Sequence, residues 1–242
     1  MGEPGKTEPR YFDVTLRKVV DLGNDTRHFE LAVNAGGKIT FIPGQFAVVL
    51  CPKDGKWVRR AYSIASPPQV ADRLELIVKR VEGGVVTPWF WTLREGDRLR
   101  VHVPFGKFVL PEKVDFDIVF VAVGTGIAPF RSMIRQMLPA GFSRKIRLLF
   151  GTRYDDKIPY HEEFVGLARE HPNFTYIPTI SRPSPEWKGE TGYVQTKIGK
   201  FFADPEGKRL YICGLNEMIQ AVQGEALRLG YRREQIQYEK YD

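Results

Sequence analysis

The chain has 242 residues, 43% of them apolar and 27% charged, a globular balance with room for one large domain or two of ordinary size. No apolar run approaches the roughly 20 residues of a membrane-spanning helix, and the polar start Met1 to Arg10 lacks the apolar stretch of a secretory signal, so a cytoplasmic protein without a membrane span is expected. The two cysteines, Cys51 and Cys213, exclude a disulfide framework and a four-cysteine iron–sulfur cluster carried on this chain, while the net charge of +7 favours an acidic partner and its dispersed basic residues argue against nucleic acid.

After a loose N-terminus over residues 1–10, short β-rich runs follow at Tyr11 to Val20, Arg27 to Val33, Phe46 to Cys51, Arg60 to Ala65, Leu74 to Val81 and Arg98 to Val103. Turn signals such as Pro43-Gly44-Gln45 and Arg94-Glu95-Gly96-Asp97 separate them. This spacing predicts an antiparallel β-barrel over residues 11–112. Within it, Arg60-Ala61-Tyr62-Ser63 puts a fixed cation, a flat aromatic and a hydroxyl on one strand. A flavin needs those groups: a guanidinium for its pyrophosphate, an aromatic face for its ring and a small hydrogen-bonding group near N5. An ordinary exposed strand would also use them, so the motif alone does not decide. Gly83-Gly84-Val85-Val86-Thr87-Pro88 leads into a short helix, Trp89 to Leu93, with Thr87 as its expected cap. The exposed amides of that helix start are a natural anion site, opposite Arg60.

Near residues 111–117 alternation gives way to continuous apolar runs, as in strands buried on both faces. Residues 113–242 therefore read as a second, α/β domain with a doubly wound parallel sheet. Its strands are Ile118 to Val123, Ile146 to Phe150, Thr175 to Ile180 and Leu210 to Ile212, with helices from about Phe130 to Leu138, His161 to Glu170 and Asn216 to Leu229. Ligands of such sheets sit at the carboxyl ends of the strands, where Gly124, Thr125, Gly126, Arg153, Ser181, Arg182, Cys213 and Gly214 all fall. Gly124-Thr125-Gly126 departs from the usual dinucleotide fingerprint, since Pro129 replaces the later glycine.

In combination these motifs resemble the ferredoxin–NADP reductase superfamily, in the correct order over nearly the whole chain. Arg60-Ala61-Tyr62-Ser63 matches its flavin motif, Gly84-Val85-Val86-Thr87 its pyrophosphate helix, Gly124-Thr125-Gly126-Ile127-Ala128-Pro129 its nicotinamide-side loop, and Tyr211-Ile212-Cys213-Gly214-Leu215 its Cys-Gly strand end. Glu239-Lys240-Tyr241 is similar to its Glu-x-aromatic ending. The resemblance implies an FAD-dependent enzyme in which NADPH, or NADH, delivers hydride to flavin N5, and the flavin feeds electrons to an acidic protein such as ferredoxin or flavodoxin. It further implies that Ile77, Val78 and Lys79 line the flavin through their backbone, and that Ser63, Cys213 and Glu239 form a polar cluster at the nicotinamide. Tyr241 would cover the flavin face, with Tyr238 as the alternative because Asp242 follows Tyr241. No metal site is implied.

For the coenzyme, Arg153, Ser181 and Arg182 offer donors to an adenosine 2′-phosphate, and Tyr193-Val194-Gln195 is similar to the segment that cradles adenine. Against this, Asp155-Asp156 and Trp187-Lys188-Gly189-Glu190 resemble NADH-using relatives, in which carboxylates disfavour the extra phosphate. NADPH is the expected choice. The reductase component of a multicomponent oxygenase, or a flavin-bearing subunit of a larger electron-transfer complex, are the alternative functions.

Overall fold

A computed structural model describes residues 8–241. They form two compact units, one comprising the chain to Leu110 together with Ala128–Gln136, the other Pro111–Ile127 together with the chain from Met137.

The first unit is a six-stranded antiparallel sheet of β1 (Arg10–Asp21), β2 (Thr26–Val33), β3 (Phe46–Lys53), β4 (Lys56–Ser63), β5 (Arg73–Lys79) and β6 (Arg98–Phe105). Their order is β4-β3-β6-β1-β2-β5. The sheet curls into a half-barrel, as the alternating runs predict. Its end strands meet through the single bridge Ile64↔Leu76 and the bond from Ala65 N–H to the Glu75 carbonyl (2.8 Å). Most strand boundaries shift by one or two residues, and the starts of β1 and β4 have a local explanation. Arg10 already pairs with Val103, so the strand starts inside the segment expected to be loose; residues 1–7 of that segment lie outside the described residues. β4 begins at Lys56 because a tight turn at Asp54 and Gly55, both at positive φ, lets Lys53 pair with Lys56.

The barrel core is built from alternate residues of these strands, among them Val14, Leu16, Phe29, Leu31, Leu76, Val78 and Val101, all fully buried. Helix α1 (Val86–Thr92) plugs it with Phe90, whose ring meets Phe29 edge-on at 4.8 Å and Tyr62 at 5.3 Å. Burying one such ring contributes about 2 to 3 kcal/mol. The same packing ties α1 to the strand bearing Arg60 and Tyr62.

The second unit is a parallel sheet of β7 (Asp117–Val123), β8 (Ile146–Thr152), β9 (Phe174–Ile180), β10 (Glu190–Thr191), β11 (Lys208–Gly214) and β12 (Ile236–Lys240), in the order β10-β9-β8-β7-β11-β12. Helices α3 (His161–Glu170), α4 (Ile198–Phe201) and α5 (Asn216–Arg228) belong to this unit, while α2 (Ile127–Met137), which follows β7 in the chain, contributes Ala128–Gln136 to the first. β7, first in the chain, lies inside the sheet: β8, β9 and β10 extend from one side of it, β11 and β12 from the other. The winding therefore reverses between β7 and β11, and the crevice outside the carboxyl ends of those two strands is where such sheets bind ligands. β10, α4 and β12 are not evident in the periodicity, being two, four and five residues long.

Candidate functional site

The flavin motif occupies the C-terminal half of β4, an end strand of the curled sheet. Arg60 and Ala61 are exposed, while Tyr62 and Ser63 are half-buried. The Arg60 guanidinium donates from Nη1 to the Arg59 carbonyl (2.9 Å). Burial pushes the Tyr62 phenol above its ordinary range, so the ring stays neutral. At the other end of the sheet, β5 spends its ladder on β2, with Ile77, Val78 and Lys79 opposite His28, Arg27 and Thr26. Beyond Leu76 no strand among the described residues pairs with its other edge, which leaves that backbone edge able to meet a ligand.

Gly84 closes the turn before α1: a Cβ there would lie 3.1 Å from the Val81 carbonyl and 3.3 Å from Thr87 Oγ1. Thr87 does not cap the helix. The N-cap is Val85, which makes no side-chain cap, and Thr87 Oγ1 instead accepts from Val81 N–H (3.0 Å) and donates to the Val81 carbonyl (3.3 Å). The helix starts at Val86, which puts Thr87 inside its first turn. Among the described residues, the N-cap Val85 makes no side-chain hydrogen bond to the first turn of α1. A guanidinium, an aromatic face, an unladdered strand edge and uncapped amides in one unit form the donor set a flavin dinucleotide needs.

In the second unit, the Gly124–Gly126 turn follows β7 and touches the end of β11. A Cβ on Gly126 would fall 2.2 Å from the Cys213 carbonyl oxygen, so only glycine allows the two loops this close. Cys213 is buried, and Glu239 lies opposite it in the β11–β12 register. Burial, reinforced by the Glu239 charge, holds the Cys213 thiol well above its ordinary pKa. That environment favours the neutral thiol over a thiolate.

Tyr241 folds onto the same turn. Its hydroxyl donates to the Val123 carbonyl (2.7 Å) and accepts from Gly126 N–H (3.3 Å), while its backbone N–H reaches the Gly214 carbonyl (3.3 Å). Burial pushes this phenol up to about 12. Tyr238, by contrast, is 54% exposed. Of the two tyrosines, Tyr241 is the one at the glycine turn. Cys213, Gly214, Glu239, Tyr241 and Gly124 to Gly126 are thus assembled at the point where the winding reverses; Ser63 belongs to the other unit.

The expected coenzyme residues occupy the ends of β8 and β9. Past the strands, Ser181 N–H still bonds the Thr152 carbonyl (3.1 Å) and Arg182 N–H the Arg153 carbonyl (2.8 Å), which sets the two exposed arginines side by side in the chain trace. Arg182 Nη1 donates to the Tyr154 hydroxyl (3.4 Å). Gly192 N–H bonds the Ile180 carbonyl (2.8 Å) and anchors the segment carrying Tyr193, which is 65% exposed; Gln195 follows on a 3₁₀ turn. The two carboxylates expected to oppose a phosphate are engaged elsewhere. Asp155 accepts from the Ser184 N–H (2.8 Å) and hydroxyl (2.6 Å), and Glu190 is bound by Lys200 (2.5 Å) and Lys197 (3.1 Å). Those partners hold both carboxyls below their ordinary range.

The Oxidoreductase FAD-binding domain family matches residues 13–110, and the Oxidoreductase NAD-binding domain family matches residues 120–224. Ferredoxin–NADP reductase B of Sorangium cellulosum is 35% identical over 96% of this chain and 98% of its own length. The chain belongs to the ferredoxin–NADP reductase superfamily. Its reductase architecture is an FAD-binding half-barrel followed by an NAD-binding α/β unit. The phenol hydroxylase P5 protein of Acinetobacter pittii is 33% identical over 87% of this chain, which spans 60% of that relative. The crystal structure of Amycolatopsis cytochrome P450 reductase matches with a TM-score of 0.88 at 30% identity, covering 96% of this chain and 70% of that one. At 21% identity, a Neisseria gonorrhoeae ferredoxin NADP+ reductase with bound FAD and NADP shares the fold, with a TM-score of 0.82 over 97% of this chain and 99% of its own.

Sequence reasoning missed Tyr154 and Ser184, which organise the Arg153–Arg182 region, and the buried group Glu75, Arg131, Ser66 and Ser132. Within the first unit, Arg131 Nη1 donates to Glu75 (2.5 Å) and to the Ala65 carbonyl (2.9 Å), and Ser132 Oγ donates to the Ser66 carbonyl (2.7 Å). The available signal was a charge inside an apolar run: Glu75 stands in Leu74-Glu75-Leu76-Ile77-Val78 and Arg131 in Phe130-Arg131-Ser132-Met133-Ile134.

Proposed function

We propose that this reductase moves electrons between NADPH and a small acidic electron-transfer protein, ferredoxin or flavodoxin, in the cytoplasm. The observation that supports this reading is the 35% identity to ferredoxin–NADP reductase B, which runs along 98% of that relative. Bound FAD would supply the redox chemistry, accepting hydride at N5 and releasing single electrons. Arg60 and the amides of Val85, Val86 and Thr87 would hold its pyrophosphate, with Gly84, whose own N–H bonds the Val81 carbonyl (3.2 Å), shaping the turn that presents them; Ala61 and Tyr62 would hold its ring, Ser63 the N5 edge, and the backbone of Ile77, Val78 and Lys79 the remaining border. Gly124, Thr125, Gly126, Cys213 and Gly214 would seat the nicotinamide, with Glu239 orienting polar groups beside Cys213. Arg153, Ser181, Arg182, Tyr193 and Gln195 would take the adenosine 2′-phosphate end. A net charge of +7 suits encounter with an acidic partner. Two buried, unpaired cysteines suit a reducing compartment.

Arg60→Ala is expected to weaken FAD binding about 10- to 100-fold, as loss of a charge-assisted phosphate contact does, with the far-ultraviolet circular dichroism unchanged. Equal FAD stoichiometry and affinity in the variant would remove Arg60 from the pyrophosphate site. For Tyr241→Ser, loss of the hydroxyl's grip on Val123 and Gly126 should open the glycine turn to the nicotinamide. NADP+ affinity is then expected to rise on the order of tenfold, a change of about 1.4 kcal/mol. Unaltered affinity would mean the ring does not occupy the nicotinamide's place.

The functional test is NADPH-driven reduction of cytochrome c by FAD-loaded protein, with and without added ferredoxin or flavodoxin. A rate that rises with the carrier supports the proposal, and a rate indifferent to both carriers opposes it. The 30% identity to the cytochrome P450 reductase favours one second reading, the reductase component of an oxygenase. In that case a partner oxygenase, and neither carrier alone, would accelerate NAD(P)H oxidation.

A further inference from the structure

We propose that Asp155 is a positioning residue for coenzyme selection: by gripping Ser184 it holds the turn that presents Arg182 beside Arg153, and so favours NADPH. This rests on the reading above that the 2′-phosphate is received at the ends of β8 and β9.

Consecutive residues Arg153, Tyr154 and Asp155 each hold the segment Arg182 to Ser184. The Arg153 carbonyl accepts from Arg182 N–H (2.8 Å), the Tyr154 hydroxyl accepts from the Arg182 guanidinium (3.4 Å), and Asp155 takes both donors of Ser184 (2.8 and 2.6 Å). Ser184 sits between Pro183 and Pro185, whose fixed φ stiffens the turn. Arg182 is exposed, and a long exposed side chain loses rotamer freedom when it binds phosphate. Fixing its backbone and steadying its guanidinium in advance lowers that cost.

A carboxylate close to two arginines could instead serve the opposite purpose, accepting the ribose hydroxyls of NADH and repelling a 2′-phosphate. The geometry argues against it. Each Asp155 oxygen already accepts a Ser184 donor, so the carboxylate is turned onto the 182–184 segment of its own chain. Glu190 is likewise committed to Lys197 and Lys200. The acidic residues that make this segment resemble an NADH site therefore act as struts for a basic one.

The two views predict opposite signs. Binding of 2′-AMP and 5′-AMP would be measured by calorimetry on the FAD-loaded protein, beside steady-state KM values for NADPH and NADH. For Asp155→Ala we expect the Kd for 2′-AMP and the KM for NADPH to rise about tenfold, with 5′-AMP and NADH changing less than twofold. Ser184→Ala should move in the same direction. Asp155→Asn can still accept from the Ser184 N–H while donating to its hydroxyl, and is expected to recover most of the wild-type discrimination. Unchanged or tighter 2′-AMP binding in Asp155→Ala would overturn the proposal, as would an Asn variant as impaired as the Ala variant. Should wild-type protein fail to distinguish 2′-AMP from 5′-AMP, or should Arg153→Ala and Arg182→Ala leave 2′-AMP binding unchanged, the phosphate site itself falls and the proposal falls with it.

Discussion

Arg131→Met is expected to destabilise the chain by about 3 to 5 kcal/mol, the cost typical of removing one partner from a buried ion pair. Glu75 on β5 and Arg131 on α2 are 4% and 6% exposed, and both belong to the first unit. Removing the guanidinium takes away the buried partner of the carboxylate and leaves it the part-exposed Arg73 at 3.3 Å and Arg135 at 3.8 Å. It also leaves the Ala65 carbonyl without the Arg131 donor. A fall in melting temperature of roughly 10 °C corresponds to that loss for a chain of this size. The double variant Glu75→Gln with Arg131→Met should recover part of it, since the isolated charge is gone. A single-variant loss below about 1 kcal/mol would show that the pair is solvated and structurally minor.

The same cluster sets an acid limit. Burial would raise the Glu75 carboxyl, but the charge and hydrogen bond of Arg131, with His28 and Arg135 behind them, outweigh it and hold the group below its ordinary value. Its contribution is present above the ordinary carboxylate pKa and is lost as pH falls through the lower folded value. His28, 8% exposed on β2, is held down mainly by burial, to about 4 from 6.5. The unfolded chain takes up that proton near pH 6.5 and the folded chain only near 4, so stability declines as pH drops through this window. Thermal melts between pH 7 and pH 4 should record the decline, and His28→Phe should flatten it.

Gly126→Ala is expected to abolish most coenzyme-dependent flavin reduction while sparing FAD binding. The new Cβ would lie 2.2 Å from the Cys213 oxygen and 2.7 Å from its carbonyl carbon, both backbone atoms that no rotamer change can move aside. The glycine turn and the end of β11 must separate, which disturbs the Tyr241 hydroxyl bond to Gly126 N–H as well. A misplacement of about 1 Å at a hydride-transfer site costs on the order of 100-fold in rate. Stopped-flow reduction of FAD-loaded variant by NADPH measures this directly, and a rate within threefold of wild type would show that the turn does not position the nicotinamide.

Much of this molecule was legible in its residues because the informative segments are locally encoded. Helix α3 runs over His161–Glu170 as its sequence pattern predicts, and the strands around Phe29, Val78, Phe120 and Leu148 follow from apolar periodicity. Thr87 differs from expectation because a threonine after glycines suits both a cap and the first helical turn, and its bonds to Val81, six residues back, settle it in the turn. β12 was invisible as a strand because Ile236-Gln237-Tyr238-Glu239-Lys240 gains its order by pairing with β11, about 25 residues away in sequence. The roles of Asp155, Ser184, Glu75 and Arg131 depend on partners 29 and 56 residues distant, which spacing alone does not reveal.

The most direct measurement is an anaerobic titration of purified, FAD-reconstituted protein with NADPH, followed by flavin absorbance. The account predicts one FAD per chain and bleaching complete near one equivalent of NADPH, with NADH needing a large excess. A protein that takes up no FAD, or whose bound flavin stays oxidised under both coenzymes, would contradict it.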